Sequence, residues 1–342
     1  MKKIILYLPE KNSGKPNACS FLRMISPLSV LVRQTDCIVE ELVSLSQLFK
    51  PNVIALTTNR TAFLDLPGLS DLIVNGNLPP IQLHWDTDDY SGLINNLEPE
   101  AYYLQRLSYA QRLMETHATI LTASTKFIQS NALSPAKWHV VRNSLPFENW
   151  NNKNSKDPSK LLFFGLNVHR SEIERLSEAF DNIGWARLKK SKISIEIVGN
   201  FPQKFNQIFR VTQVPPVNTY YPRFASWLTM RSSQLTGLVL IEDSILNKGK
   251  SALKFLEYSA MGMATAGYGH AALETDLSSA SRYHKISREN PAEDLLTLIS
   301  EREILVKSSE NNYLEVHKNR RIESDRSGMY IFYLQNLLAL KS

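Results

Sequence analysis

The chain has 342 residues, enough for two ordinary domains of about 150 residues each. With 43% hydrophobic and 21% charged residues, its composition is that of a globular protein and excludes disorder. A formal net charge of +6 suits anionic partners such as nucleotide diphosphates, acidic lipid headgroups or nucleic acid. The basic residues are dispersed, with no zinc-finger, helix-turn-helix or RNP-like pattern, so no nucleic-acid partner is predicted. Cys19 and Cys37 lack C-x-x-C spacing and read as thiols in a reducing compartment, not as a metal site or a disulfide framework. The N-terminal apolar run is too short for a signal peptide, and no stretch approaches the ~18 apolar residues of a membrane span. A cytoplasmic protein is expected, with peripheral contact at the inner face of the membrane as a further expectation.

Residues 3–8 read as the first strand of a doubly wound sheet, bounded by Pro9 and Gly14. The Gly14-Lys15 pair lacks Walker spacing, which excludes a P-loop. Residues 18–32 read as a helix containing Arg23 and Pro27, with Arg23 a surface arginine on the letters alone. Residues 53–57 and 70–74 are expected as further strands. Residues 81–90 then run from a strand into His84, Asp86, Asp88 and Asp89. Carboxylates this close repel unless they meet cations or donors. Asp86-Thr87-Asp88 also satisfies the short D-x-D metal pattern, and a loop of solvated acids beside a packed Trp85 would explain the same letters.

Residues 103–116 are strongly helical, residues 119–123 and 138–142 read as strands, and Asn143-Ser144-Leu145-Pro146 ends the last of them. Residues 149–160 are polar, aperiodic and read as a linker. A second unit opens with a strand at 161–164 and the turn Gly165 to Arg170, which leads into a helix reaching about residue 189. A glycine turn at a strand's carboxyl end, leading to a helix N-terminus, is where such sheets take phosphate-bearing ligands, so the Gly165 turn is a candidate phosphate site; a polar turn alone would account for His169. A strand at 194–198 follows, and then a helix from Tyr221 whose aromatics read mainly as core, with Tyr221 near any nucleotide.

The most informative stretch is 247–262. It lies between apolar runs at 236–241 and 263–266, so it reads as the crossover helix of a βαβ unit, capped by Asn247 or Ser251 and ended by Gly262. Lys250, Lys254 and Glu257 fall at i, i+4 and i+7, on one face of such a helix. Two ammonium groups in a first turn are unfavourable unless an anion docks there, and Glu257 could then hold a sugar diol. A solvated amphipathic face explains the same spacing.

The run Asn247, Lys250-Ser251, Lys254-Phe255-Leu256-Glu257-Tyr258, Gly262 resembles the donor signature of bacterial surface-polysaccharide (O-antigen and capsule) glycosyltransferases of the two-Rossmann, GT-B type, family 4-like. In that group the matching lysines meet the diphosphate and the matching glutamate meets the ribose. Many retaining members carry another glutamate eight positions earlier, where this chain has Gly249. The resemblance implies catalytic, acceptor-side or transition-state work for Asp88 and Asp89 without a metal, a catalytic role for the strand-end His84, a phosphate- or acceptor-side place for Arg23, and donor contact for Gly165, His169 and Arg170 at the first turn of the donor domain. The expected fold is α/β, two Rossmann-like doubly wound domains facing a cleft: an acceptor-side domain at 1–148, a linker at 149–160, a donor domain at 161–325 and a final helix at 326–342 packing back on the first domain. The implied activity is transfer of a sugar from a nucleotide-diphosphate sugar to a glycan or lipid-linked oligosaccharide, retaining and with no cofactor beyond the donor. A nucleotide-sugar epimerase of the same fold and a non-catalytic sugar-nucleotide-binding subunit remain open beside it.

Overall fold

The computed structural model describes residues 2–90, 101–150, 156–165, 169–183, 187, 190–242, 244–269, 277 and 283–338. The chain divides into two compact units. Unit 1 comprises Met1–Pro146, Lys248–Ser251 and Arg320–Ser342; unit 2 comprises Phe147–Asn247 and Ala252–Asn319.

Unit 1 is built on a parallel sheet of six strands: β1 (Ile4–Leu8), β2 (Ile38–Glu41), β3 (Val53–Asn59), β4 (Gln82–Thr87), β5 (Ile120–Ala123) and β6 (Trp138–Val140). Their order is β2-β1-β3-β4-β5-β6. Both faces are covered, which is why the strands read as near-continuous apolar runs. Leu6, Leu56, Leu83 and Trp85 fill one face, and Ile5, Ala55 and Val141 the other. The strand order reverses between β1 and β3, so the loops after Leu8 and Asn59 open at a topological switch point, where sheets of this kind bind ligands.

The helix after β1, here α1, runs through Ala18–Ser20, a π turn at Phe21–Ile25, and Ser26–Gln34. Pro27 has no N–H to give the Arg23 carbonyl one turn back, and the Tyr333 hydroxyl donates to that carbonyl at 3.1 Å instead. Tyr333 belongs to the C-terminal helical segment, Met329–Tyr333 continuing as Leu334–Leu338, which packs in unit 1 against Ile5, Met24 and Leu28.

Residues 70–74, expected as a strand, form helix α2 (Leu69–Val74). Gly68 at φ +79° turns the chain into it, and Leu69 and Ile73, four apart, are both buried, so the apolar spacing is that of a helix. A longer helix, α3 (Ala101–His117), precedes β5.

Unit 2 repeats the plan with β7 (Asp157–Phe164), β8 (Ser194–Val198), β9 (Arg210–Thr212), β10 (Gln234–Leu240), β11 (Ala264–Tyr268) and β12 (Tyr283–Lys285), all parallel. The order β9-β8-β7-β10-β11-β12 places its switch point between β7 and β10. Strand β7 begins at Asp157, inside the stretch read as linker. The helices that matter here are α4 (Arg170–Ile183), α5 (Tyr221–Arg231), α6 (Ile245–Lys248) and α7 (Leu253–Ala260). No helix among the described residues is long and apolar enough to cross a membrane.

Two glycines separate two physical demands. A Cβ at Gly267 in β11 would stand 1.7 Å from the Val239 carbonyl oxygen of β10, whereas one at Gly76 would meet nothing within 4 Å but sits at φ +66°. Gly267→Ala should therefore cost about 3 kcal/mol, the upper end of ordinary overpacking. Gly76→Ala should cost only about 1 kcal/mol, for the left-handed backbone alone. Denaturant midpoints of the two variants check the ranking.

Candidate functional site

The residues singled out in the sequence fall into three groups. The first lies inside unit 1. Arg23 is 2% exposed and gives every arm of its guanidinium to protein acceptors. Nε and Nη2 bind the two Asp86 carboxylate oxygens at 2.7 and 2.6 Å, and Nη1 reaches the Val141 carbonyl and Asn143 Oδ1, both at 2.9 Å. Asp86 also accepts from Thr122 Oγ1 at 2.6 Å. His84 is 0% exposed, its Nδ1 2.6 Å from Thr57 Oγ1 and its Nε2 2.9 Å from Thr122 Oγ1. Burial pushes the imidazole down to about 4, so it is neutral at ordinary pH. The surface-arginine reading of Arg23 is corrected: Arg23 and His84 are buried struts joining β3, β4, β5 and α1. Because both faces of the sheet are covered, His84, Trp85 and Asp86 are all buried, which proximity to the acids in sequence does not reveal.

The second group stands at the carboxyl ends of β1, β3 and β4. Asp88 Oδ1 accepts from Arg60 Nε at 2.7 Å, and Asp89 Oδ2 lies 2.8 Å from Arg60 Nη2. Lys250 Nζ donates to Asp89 Oδ1 at 2.9 Å, and the Tyr103 hydroxyl donates to Oδ2 at 3.1 Å. Glu10 joins through Arg60 Nη1 at 3.1 Å and the Thr61 hydroxyl at 2.7 Å. The repulsion expected of crowded acids is thus relieved by cations, with Asp86 and Asp88 served by different arginines. Among the described residues no group of three or more His, Cys, Asp or Glu is arranged to hold a metal ion. Arg60 and Glu10 escaped the sequence reading, although a charged residue just beyond a buried strand was the available signal.

Lys250 is on neither helix. The expected crossover helix is broken at residues 249–252, between α6 and α7. Gly249, a poor helix former, gives its carbonyl to Thr125 Oγ1 at 3.2 Å, and Ser251 Oγ accepts from Asn143 Nδ2 at 2.6 Å. Neither Asn247 nor Ser251 caps α7, whose first residue follows Ala252 without a side-chain cap. The Asn247 amide instead donates to the Glu242 carbonyl at 3.0 Å. The single-face alignment of Lys250 with Lys254 and Glu257 is corrected accordingly.

The third group lies in unit 2 at its switch point. Lys254 Nζ donates to the Phe164 carbonyl at the end of β7 and sits 4.4 Å from the Phe164 ring centroid. Gly165 follows, its N–H bonded to the Val198 carbonyl at 3.1 Å. A Cβ at Gly165 would come within 2.9 Å of the His169 ring, and His169 Nδ1 lies 3.3 Å from Glu172 Oε1. Arg170 points away and pairs with Glu174 at 3.0 Å on the exposed side of α4. Glu257, 3% exposed, accepts from the Tyr221 hydroxyl. Burial, opposed by Lys254 and by the Tyr221 bond, pushes its carboxyl up to about 7. A solvated Lys254–Glu257 pair is therefore excluded.

Two outcomes follow. Arg23→Leu should destabilise the protein by about 3–5 kcal/mol because it strands a buried carboxylate, and adding Asp86→Leu should recover part of the loss in chemical denaturation. Glu257 carries a pH signature. Unfolded, its carboxyl titrates near about 4.3; folded, it holds its proton up to about 7, so stability is full below the lower value and falls as pH rises through the upper one. Glu257→Gln should remove up to about 3 kcal/mol of that fall, widening its melting-temperature advantage over wild type between pH 4.5 and 7.5.

No family model matches the sequence, and no curated protein matches it. Solved structures do resemble it. HepE of Anabaena in complex with UDP-glucose aligns over 99% of this chain and 100% of its own, with TM-score 0.64 and 11% identity. AviGT4, a glycosyltransferase of avilamycin A biosynthesis, aligns over 99% and 98%, with TM-score 0.60 and 12% identity. TarM aligns over 83% of this chain but only 54% of its own, with TM-score 0.58 and 9% identity. At such identities the likeness is one of fold: the two six-stranded Rossmann-like units are those of the GT-B glycosyltransferases.

Proposed function

We propose that this chain is a glycosyltransferase that moves a sugar from a nucleotide-diphosphate sugar to a hydroxyl of a glycan or lipid-linked acceptor. The observation that carries the reading is the unit 2 switch point, where Lys254, the Gly165 turn and the buried Glu257 come together. The diphosphate would take the uncapped N–H groups at the start of α7 and the Lys254 ammonium, which would exchange a neutral carbonyl for a charged oxygen. Glu257, fixed by Tyr221, would accept from the ribose hydroxyls. Fixed cations of this kind can stabilise a leaving diphosphate without a metal. Unit 1 would supply the acceptor side through Asp88 and Asp89, with Lys250 balancing the charge of Asp89. Retention of anomeric configuration is proposed from the resemblance of the 247–262 stretch to retaining enzymes. UDP is the first nucleotide to test, since HepE was crystallised with UDP-glucose.

A thermal-shift panel of UDP, GDP, TDP, CMP and ADP, with EDTA or magnesium, tests the donor site, because a ligand that binds only the native state raises its melting temperature. One diphosphate should shift the melt in EDTA. Lys254→Ala should weaken that nucleotide about 10- to 100-fold, as expected for the loss of one charged hydrogen bond. No shift with any nucleotide would sink the reading. Conversion of the sugar nucleotide without an acceptor would replace it with an epimerase.

A further inference from the structure

We propose that Arg60 is the positioning residue of the unit 1 acid turn, fixing where the Asp88 and Asp89 carboxylates stand. What the turn does in catalysis rests on the glycosyltransferase reading; the hold of Arg60 on it rests on geometry. Arg60 follows β3 at the switch point of unit 1, and its backbone is gripped on both sides. Its N–H donates to the Asp86 carbonyl at 2.9 Å, and its own carbonyl accepts from the Trp85 indole at 2.8 Å. Its φ is +48°, a left-handed conformation that a side-chain-bearing residue adopts at a cost and that gathers at functional sites.

From that fixed base the guanidinium distributes its nitrogens over acids from two other loops. Nε goes to Asp88 and Nη2 to Asp89 after β4, and Nη1 goes to Glu10 after β1. The side chain is 12% exposed, so these pairs are little weakened by water. A guanidinium can hold three carboxylates in one plane; a lysine ammonium, a single point on a flexible stem, cannot. The structural tie between β4 and α1 is already made by Arg23 and Asp86, so Arg60 is not needed for that. Its own cluster lies at the carboxyl end of the sheet, the end where ligands enter.

Burial alone would raise the Asp89 carboxyl, but Arg60 and then Lys250 outweigh it and hold Asp89 well below the usual carboxylate range. The groups that face it are Arg60, Lys250 and Tyr103, with Asp88, Glu10 and Cys19 across the guanidinium.

The test uses the full chain with carbon-13-labelled aspartate carboxyls, the Asp89 signal being assigned with Asp89→Asn, and measures in parallel the release of UDP and glucose from UDP-glucose, with water taking the acceptor's place. In wild type Asp89 should show no titration between pH 7 and 4. In Arg60→Gln it should titrate within that window, and kcat should fall about 100-fold while UDP affinity is unchanged. Arg60→Lys, which keeps the charge but loses the fork, should leave Asp89 ionised and still lose most of kcat, and it serves if Arg60→Gln does not fold. An unmoved Asp89 titration in Arg60→Gln overturns the proposal, as does full turnover in either variant. If Asp89 moves but wild type never turns over UDP-glucose, the hold of Arg60 stands and UDP-glucose as the donor is what fails.

Discussion

Unit 1 depends on one constraint: a carboxylate removed from water must be met by a cation or by several donors. Strand β4 ends in three acids within four residues, Asp86, Asp88 and Asp89, and two arginines from separate elements answer them. Arg23 comes from α1 and locks Asp86 in the interior. Arg60 comes from the end of β3 and gathers Asp88, Asp89 and Glu10 at the rim. The two layers differ in exposure, 2% for Arg23 and 12% for Arg60. The inner pair secures the sheet, and the outer cluster keeps charge where a ligand can meet it.

Unit 2 solves the same placement problem with few charges. Its switch point is lined by Phe163 and Phe164, by the glycine turn at Gly165 and by a lysine resting on a carbonyl. Glu257 has no arginine in this arrangement. Its partner is the phenol of Tyr221, and the Lys254 charge lowers its carboxyl only in part. The result is an acid that keeps its proton up to about 7, which a fully paired one would not. A carboxyl in that state can donate as well as accept.

Much of this was legible in the letters and some was not, for identifiable reasons. Buried parallel strands announce themselves as apolar runs, so β1, β3, β5, β8 and β10 are visible in sequence. The helix at Leu69–Val74 was not, because six residues with apolar Leu69, Leu72, Ile73 and Val74 are too few to separate the two periods. The short strands β2, β9 and β12 carry too few apolar residues to stand out. Lys254 and Glu257 were found by helical spacing that survives in α7. Lys250 was found by the same spacing and placed wrongly, since only tertiary contacts through Gly249 and Ser251 break the helix there. Spacing does not show that His84 and Arg23 are buried, because their partners Thr57, Thr122, Asp86 and Asn143 come from other elements. Arg60 was missed because its partners Glu10, Asp88 and Asp89 are 28 to 50 residues away in the chain.

That last omission bears on how the acid turn should be understood. An Asp-Asp pair read alone suggests a flexible acidic loop, with each carboxylate free to follow a ligand. The geometry around Arg60 argues otherwise. Asp89 is held from three directions, by Arg60, Lys250 and the Tyr103 hydroxyl, and Asp88 shares the same guanidinium. Reorienting either carboxylate would break charged bonds in a partly buried setting, each worth more than a neutral one. A turn so constrained gains little from induced fit. Its value lies in preorganisation: the carboxylates are already aimed, so the cost of ordering them has been met in folding.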